Sequence, residues 1–392
     1  MTVYMTLHCS TKIRNMKIPY TVWHSKSKKT LVRISEILKG KTFEDWTPTD
    51  KKNIERLCED VSVRTHCYFT IKTEATSSTQ IDMDELNITE TPIAEGAMGK
   101  VFIGNYRSVP VAVKQFKWDN LDEDEMTELK KSVVAECEIM SKLRNPFIAN
   151  YMGSVTYLKQ VSMVIQFFVL GSLGEYLRKE KEDFVILPYK LKVRMLFDTA
   201  RGMQFLHENK IMHLDLKPEN LLVNSLDSNS VCSIKITDFG TSRFTKKSLK
   251  KGEEKGLGTP IYASPESFRD EYTYAGDVYS YGITAWEIFY QQEPYKEFKS
   301  IFEIKNYVEN GKRLEIGNEM PRLYRDLVEE CWRQNPRERP SFDLIAKNIV
   351  GVDEDVINHN SLDLEYSFDK LENITQKRMQ RMQQTLKDVY AE

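Results

Sequence analysis

The sequence predicts an α+β fold in which a β-rich part precedes a mainly helical one, and three stretches carry that expectation. Strand-like alternation flanks a glycine turn from Ile93 to Phe102 and resumes at Val109-Pro110-Val111-Ala112-Val113-Lys114. Leu187 to His207 runs at helical spacing, with Leu191, Met195, Leu196, Thr199, Met203 and Leu206 on one face. In Ile211-Met212-His213-Leu214-Asp215-Leu216-Lys217-Pro218-Glu219-Asn220-Leu221-Leu222-Val223, a carboxylate, an ammonium and a carboxamide fall within six residues between apolar runs. Flanks that bury on both sides would hold those three polar tips at one edge of a core.

Residues 1–85 mix short β-type runs, Tyr20-Thr21-Val22-Trp23 and Cys67-Tyr68-Phe69-Thr70-Ile71, with a charged helix-like stretch from Thr49 to Asp60. Thr49 or Asp50 would cap that helix, and Ile54 and Leu57 would face inward. No paired carboxylates, metal-ligand spacing or glycine-rich loop mark this region as chemical, so a small β-rich packing or regulatory module is expected. Ser77-Ser78-Thr79 followed by Asp82-Met83-Asp84-Glu85 reads as its linker. In the glycine turn, Gly96 and Gly99 allow the backbone to approach a phosphate closely, and the small residues beside them leave space.

Asp122 to Leu143 is helical by composition and places Val133, Glu136 and Met140 on one face, while Val161 to Leu173 reads as a buried strand that breaks at Gly171. Ile234-Lys235-Ile236-Thr237 alternates like a strand and delivers Asp238-Phe239-Gly240, eighteen residues after Asn220. Asp215 can accept a proton from an incoming hydroxyl, Lys217 can neutralise charge on a moving phosphoryl group, and Asn220 offers an oxygen to Mg²⁺ with Asp238 as second ligand. From Asp363 to Glu392 a charged helical tail carries Phe368, Leu371, Met379, Met382, Leu386 and Val389 as an apolar stripe, expected to dock back onto the domain.

The order His-x-Asp, four residues, Asn, then strand and Asp-Phe-Gly resembles the protein kinase signature, specifically the tyrosine-kinase-like branch of serine/threonine kinases. The resemblance covers residues 86–350 and implies a bilobal protein kinase fold: a β-rich N-lobe with one key helix and a mainly helical C-lobe, between the region 1–85 and the tail 351–392. It implies an intracellular signalling enzyme that transfers the γ-phosphoryl of ATP, with Mg²⁺, to Ser or Thr hydroxyls of a protein substrate. On that resemblance Ile93, Ala94, Glu95, Gly96, Ala97, Met98 and Gly99 cover the nucleotide, and Lys114 holds its α- and β-phosphates and pairs with Glu136. Val101, Ala112 and Leu222 sandwich adenine, Ile165 closes the back of the pocket, and Gln166 and Phe168 offer the base backbone hydrogen bonds. Asp215 orients the acceptor hydroxyl, Lys217 holds charge, Asn220 and Asp238 hold the metal, and Thr259 hydrogen-bonds Asp215 and Lys217. Met140, Met152, His213 and Phe239 stack as an apolar column, Asp277 braces the catalytic-loop backbone, and Arg339 pairs with Glu266.

Three positions depart from the family pattern: Ala94 stands for the first glycine, Leu214 for an arginine, and Ser264 for the alanine before Pro265-Glu266. The first implies weaker or slower nucleotide binding. Leucine at 214 removes a guanidinium that pairs bidentately with a phosphate on the activation segment, so activation is not expected to run through that contact, whichever of Ser242, Thr245 and Ser248 is modified. The same departures support an alternative, a pseudokinase scaffold with weak or no phosphotransfer. A small-molecule phosphotransferase is disfavoured by the segment Gly258 to Glu266, which resembles a platform for an extended peptide.

Composition narrows the partners. Lys plus Arg total 56 against 58 for Asp plus Glu, net −2, so no global field points to nucleic acid or to an anionic membrane. Six cysteines without a Cys-x-x-Cys pair argue against a disulfide framework and a zinc site, and fit a reducing, cytoplasmic compartment. The longest apolar run, Val161 to Leu170, is broken by Ser162 and Gln166 and reaches about half of a membrane span. The start lacks a signal-peptide pattern, and a regulatory partner would bind through the N-terminal region or the C-terminal helix.

Overall fold

The computed structural model describes residues 4–9, 49, 67–72, 81, 85–95, 99–116, 133, 136–137, 139–155, 162–180, 184–240, 242–244, 257–356 and 365–391. The chain divides into two compact units, Met1–Met126 with Met152–Ile165, and Thr127–Tyr151 with Gln166–Glu392. The fold is the expected α+β one: antiparallel sheet in the first unit, mainly helices in the second.

In the first unit, β1 (Tyr4–Cys9) pairs antiparallel with β2 (Cys67–Lys72), Tyr4 opposite Lys72. The β-run from Cys67 is therefore a strand, and its partner at the chain start was not foreseen. Of the expected helix from Thr49, only Thr49 itself is described, and it is helical; Tyr20 to Trp23 also lies outside the described residues. Ile81, within the expected linker, is instead a core residue. It is 1 % exposed, and its N–H donates to the Ser154 carbonyl at 2.9 Å.

The larger sheet contains β3 (Leu86–Ile88), β4 (Ala94–Glu95), β5 (Gly99–Tyr106), β6 (Val109–Phe116), β7 (Tyr151–Val155) and β8 (Ser162–Gln166). Its strand order is β3-β5-β6-β8-β7, with β4 also on β5. Period-2 alternation assigns the two faces of β5 and β6. Val111 and Val113 pack with Ile81, Leu86, Val155 and Val164, and Phe102 and Met152 join them. The opposite face carries Val101 directly across from Lys114, and Ile103 across from Ala112. Gly99 admits no side chain there: a Cβ would sit 2.2 Å from the Gln115 carbonyl oxygen.

In the second unit, α1 (Gly174–Leu177) precedes α2 (Tyr189–Glu208), which starts after Pro188 and buries the six residues expected of its inner face. β9 (Ile211–Met212) follows, and β10 (Leu221–Val223) pairs antiparallel with β11 (Ile234–Ile236), Leu221 opposite Ile236. β12 (Arg243–Phe244) returns to β9. The helical remainder is α3 (Tyr274–Tyr290), α4 (Ile301–Glu309), α5 (Arg322–Cys331), α6 (Phe342–Val356) and α7 (Glu365–Ala391). Thr273 caps α3 by accepting from the Gly276 N–H, which sets Asp277 in its first turn, 1 % exposed. No helix among the described residues is long and apolar enough to cross a membrane.

The tail helix forms, but its inner face differs from the expected stripe. Leu371 and Leu386 are buried, Met379 is 45 % exposed, and Ile374 and Arg378 take the inward positions. The side chains of Phe368 and Val389 lie outside the described ones.

Candidate active site

The polar loop is fixed from beneath by one acid. Asp277 accepts from the backbone N–H of His213 at 2.9 Å through Oδ2 and from that of Leu214 at 2.8 Å through Oδ1. His207 Nε2 lies 2.8 Å from the same Oδ2, so the carboxylate meets three donors in a site closed to water. Leu214 takes a left-handed conformation, φ 68°, and Gly258 lies against it at φ 85°. A Cβ on Gly258 would fall 2.3 Å from the Leu214 carbonyl oxygen, so only glycine lets the two segments close together.

That approach assembles the polar tips. Thr259 Oγ1 donates to Asp215 Oδ1 at 2.7 Å, Lys217 Nζ donates to Thr259 Oγ1 at 2.6 Å, and Lys217 Nζ lies 2.9 Å from Asp215 Oδ2. Asn220 Nδ2 donates to the Asp215 carbonyl at 2.8 Å and to its Oδ2 at 3.1 Å. The His213 ring reads as the Nε2–H tautomer: Nε2 faces the Thr237 carbonyl at 3.1 Å, while Nδ1 accepts from the Asp215 N–H at 3.3 Å. The ring also packs against Phe239, centroids 5.4 Å apart.

Asn220 and Asp238 flank the β10–β11 pair. Asn220 directly precedes β10, Asp238 lies just past β11 at φ 62°, and the Thr237 N–H donates to the Asn220 carbonyl at 3.0 Å. Engagement of Nδ2 by Asp215 leaves Oδ1 as the amide atom available to a cation. Two hard oxygen donors at one end of a hairpin suit Mg²⁺, which takes one or two protein ligands and completes its octahedron with water and phosphate. Among the described residues no three His, Cys, Asp or Glu side chains gather around a point.

The other expected residues fall in both units. In the sheet unit, Lys114 Nζ lies 5.2 Å from the Phe116 ring centroid, Val101 and Ala112 share its face, and Met152 joins the opposite core. Ile93 is 52 % exposed, Ala94 and Glu95 are exposed in β4, and Ile165 belongs to β8; Gly96, Ala97 and Met98 lie outside the described residues. Ala94 pairs with Val101 in extended backbone, where a Cβ causes no strain, so the substitution of the first glycine has no conformational cost at that position. In the helical unit, Glu136 is 4 % exposed, Met140 2 % and Phe239 1 %. There the Gln166 N–H donates to the Asn150 carbonyl at 2.8 Å, and the Phe168 carbonyl accepts from the Gly171 N–H at 3.0 Å. Leu222, half-buried in β10, bridges to Ser172.

A family model described as protein tyrosine and serine/threonine kinase matches residues 88–349. The chain belongs to the protein kinase family. It is 35 % identical over 275 residues to the dual specificity protein kinase shkB of Dictyostelium discoideum, covering 69 % of this chain and 41 % of that one. It is 32 % identical over 291 residues to the serine/threonine-protein kinase STY17 of Arabidopsis thaliana, covering 72 % and 48 % respectively. A third relative, the probable serine/threonine-protein kinase gdt4 of D. discoideum, is 33 % identical over 306 residues, 76 % of this chain and 18 % of that one. The chain thus spans less than half the length of these kinases.

Two departures from the kinase pattern are absorbed locally. Ser264 is fully buried, and its hydroxyl lies 2.7 Å from that of Ser267. Leu214 is held through its backbone. Ser242 is 2 % exposed and its hydroxyl donates to the His213 carbonyl at 3.2 Å, so it serves the loop rather than awaiting a phosphate; Thr245 and Ser248 lie outside the described residues. The double variant Thr245→Ala, Ser248→Ala is expected to keep most of the kinase activity in a radiolabel assay. Loss of nearly all of it with the fold preserved would mean that a phosphate there finds a cation other than the missing arginine.

Sequence reasoning overlooked a buried network behind Thr259. Arg178 pairs with Glu287, whose Oε2 accepts from the Tyr262 hydroxyl at 2.7 Å. Burial pushes the Glu287 carboxyl up to about 7 against the pull of the Arg178 guanidinium. Glu287 is fully buried in an apolar helix, between Trp286 and Ile288, and that mismatch was the readable signal. His207, at the end of α2, was missed because a histidine near a helix C-terminus is ordinarily only a favourable charge.

Proposed function

We propose that this kinase transfers the γ-phosphoryl of ATP to serine and threonine hydroxyls of proteins. The observation that carries the reading is the triangle of Asp215, Lys217 and Thr259, with edges of 2.7, 2.6 and 2.9 Å. A carboxylate so held presents an oxygen to an acceptor hydroxyl and takes its proton as the bond to phosphorus forms. Lys217 offsets charge on the transferred group, and Thr259 adds a hydroxyl bridge between its ammonium and the other oxygen of Asp215. Mg²⁺, when bound through Asn220 and Asp238, supplies neutralisation of the phosphate oxygens. The transition state of such transfer is loose, so positioning and charge do nearly all the work.

On the nucleotide side, the reading assigns Lys114 to the α- and β-phosphates and Glu136 to its support. By the family pattern the same reading gives residues 93–99 to the phosphates and Val101, Ala112, Ile165 and Leu222 to the base. In this reading the base meets the Gln166 carbonyl and the Phe168 N–H, a choice supported by the backbone partners that the Gln166 N–H and the Phe168 carbonyl already have. A preference for serine and threonine over tyrosine is supported by Thr259 together with Lys217-Pro218-Glu219, the serine/threonine form of the loop.

Incubating the purified chain with radiolabelled ATP, Mg²⁺ and a mixed protein substrate, then hydrolysing the product, tests the acceptor. Phosphoserine and phosphothreonine are expected. Phosphotyrosine alongside them would extend the acceptor range, as the name of shkB says of that relative. Phosphotyrosine alone overturns the acceptor assignment, and no transfer at all overturns catalysis in favour of a scaffold.

A further inference from the structure

Helix α7 reaches back to the turn after β8. Arg378 Nη1 donates to the Leu170 carbonyl at 2.7 Å, and its Nη2 donates to Glu175 Oε2 at 2.6 Å. The guanidinium also lies 5.3 Å from the Tyr176 ring centroid, and the side chain is 15 % exposed. Leu371, Ile374 and Leu386 bury on the same helix, so the arginine is delivered by a packed element and not by a loose end.

The turn it grips is itself tied in both directions. Gly171 sits at φ 71°, and a Cβ there would lie 2.3 Å from Glu175 Oε1 and 2.6 Å from Arg378 Nη1. Glu175 Oε1 accepts from the Ser172 N–H at 2.9 Å, and the Tyr176 hydroxyl donates to the same Leu170 carbonyl at 2.7 Å. Upstream, the Gly171 N–H closes onto the Phe168 carbonyl at 3.0 Å. Downstream, the Gly171 carbonyl accepts from Val223 at 2.9 Å and the Leu173 N–H donates to the Leu221 carbonyl at 2.7 Å, both in the strand that follows Asn220. A cation in this position fixes the Leu170 carbonyl and the Glu175 carboxylate, and through them the backbone of 166–168.

We propose that Arg378 is a positioning residue for nucleotide: α7 braces the turn 170–175 so that the Gln166 carbonyl and the Phe168 N–H are held ready for the base. The inference rests on the adenine assignment made above. It makes the tail part of the nucleotide-binding apparatus although none of its residues touches the ligand. Because the brace acts on binding and not on phosphorus chemistry, it predicts a split between KM and kcat.

In the full chain, Arg378→Ala is expected to raise KM for ATP about tenfold, the scale of a lost charge-assisted hydrogen bond, with kcat unchanged. Arg378→Lys, which keeps the charge and loses the fork, should fall between, and Glu175→Gln should reproduce part of the effect. Amide hydrogen exchange across 166–176 should quicken in Arg378→Ala, a readout independent of activity. An unchanged KM, a loss confined to kcat, or unaltered exchange in that segment overturns the brace. Failure of the unsubstituted chain to bind Mg-ATP in a fluorescent-nucleotide titration instead overturns the adenine assignment, and with it the role of Arg378 in binding.

Discussion

Asp215→Asn is expected to lower phosphoryl transfer by about 10²–10⁴-fold, the range for removal of a positioned proton acceptor. The exchange is nearly isosteric. An amide oxygen can still accept from Thr259 Oγ1, so the 2.7 Å contact that anchors the loop to the following segment survives. What disappears is the negative charge facing Lys217 Nζ at 2.9 Å and the basicity an acceptor hydroxyl needs. Nucleotide affinity should stay the same, because neither adenine nor the phosphates are assigned to Asp215. Steady-state rates beside a nucleotide titration separate the two quantities. A variant that keeps its rate within about tenfold would reduce Asp215 to a scaffold residue and shift catalysis to positioning by the remaining groups.

The largest effect on stability is expected at the ion pair of Glu266 and Arg339. The two side chains are 5 % and 0 % exposed, joined by contacts of 2.6 and 3.0 Å. The guanidinium further donates to the Ala275 carbonyl at 2.8 Å and to the Arg333 carbonyl at 2.8 Å, and its carbon lies 5.1 Å from the Tyr279 ring centroid. Glu266→Ala leaves that cation buried among neutral dipoles, a loss of about 3–5 kcal/mol. The urea midpoint of the helical unit should fall at unchanged slope. The double variant Glu266→Met, Arg339→Met should recover part of the loss, because the penalty comes from the widowed charge more than from the missing attraction. A decrease below about 1 kcal/mol, the range of exposed pairs, would show that water reaches the site.

Local sequence revealed what is local. The loop 211–223 and the strand 234–236 could be read because their polar residues lie close in sequence and the fold keeps them close in space. Family resemblance supplied longer pairings, Thr259 with Asp215 and Lys217, Asp277 beneath the loop and Arg339 with Glu266, and the structure shows these contacts. Other partners stayed hidden: Arg178 and Glu287 are separated by 109 residues, Arg378 and Leu170 by 208. No periodicity points from one to the other. In the tail, hydropathy favoured Met379 over Arg378 for the inner face, yet a guanidinium with a carbonyl, a carboxylate and an aromatic ring to meet buries its stem at little penalty. Ile81 was misread for a related reason. Its neighbours have linker composition, but its apolar side chain packs into the core under the sheet and its N–H bonds the Ser154 carbonyl.

The carboxylate of Asp277 receives both loop amides and stands in the first turn of a helix that is buried through most of its length. The loop consequently possesses no joint of its own. To swing away it would have to give up two hydrogen bonds to a buried carboxylate, about 3–6 kcal/mol together. The geometry of the loop is therefore in place before substrate or nucleotide arrives, so that positioning is supplied in advance by a residue far away in sequence.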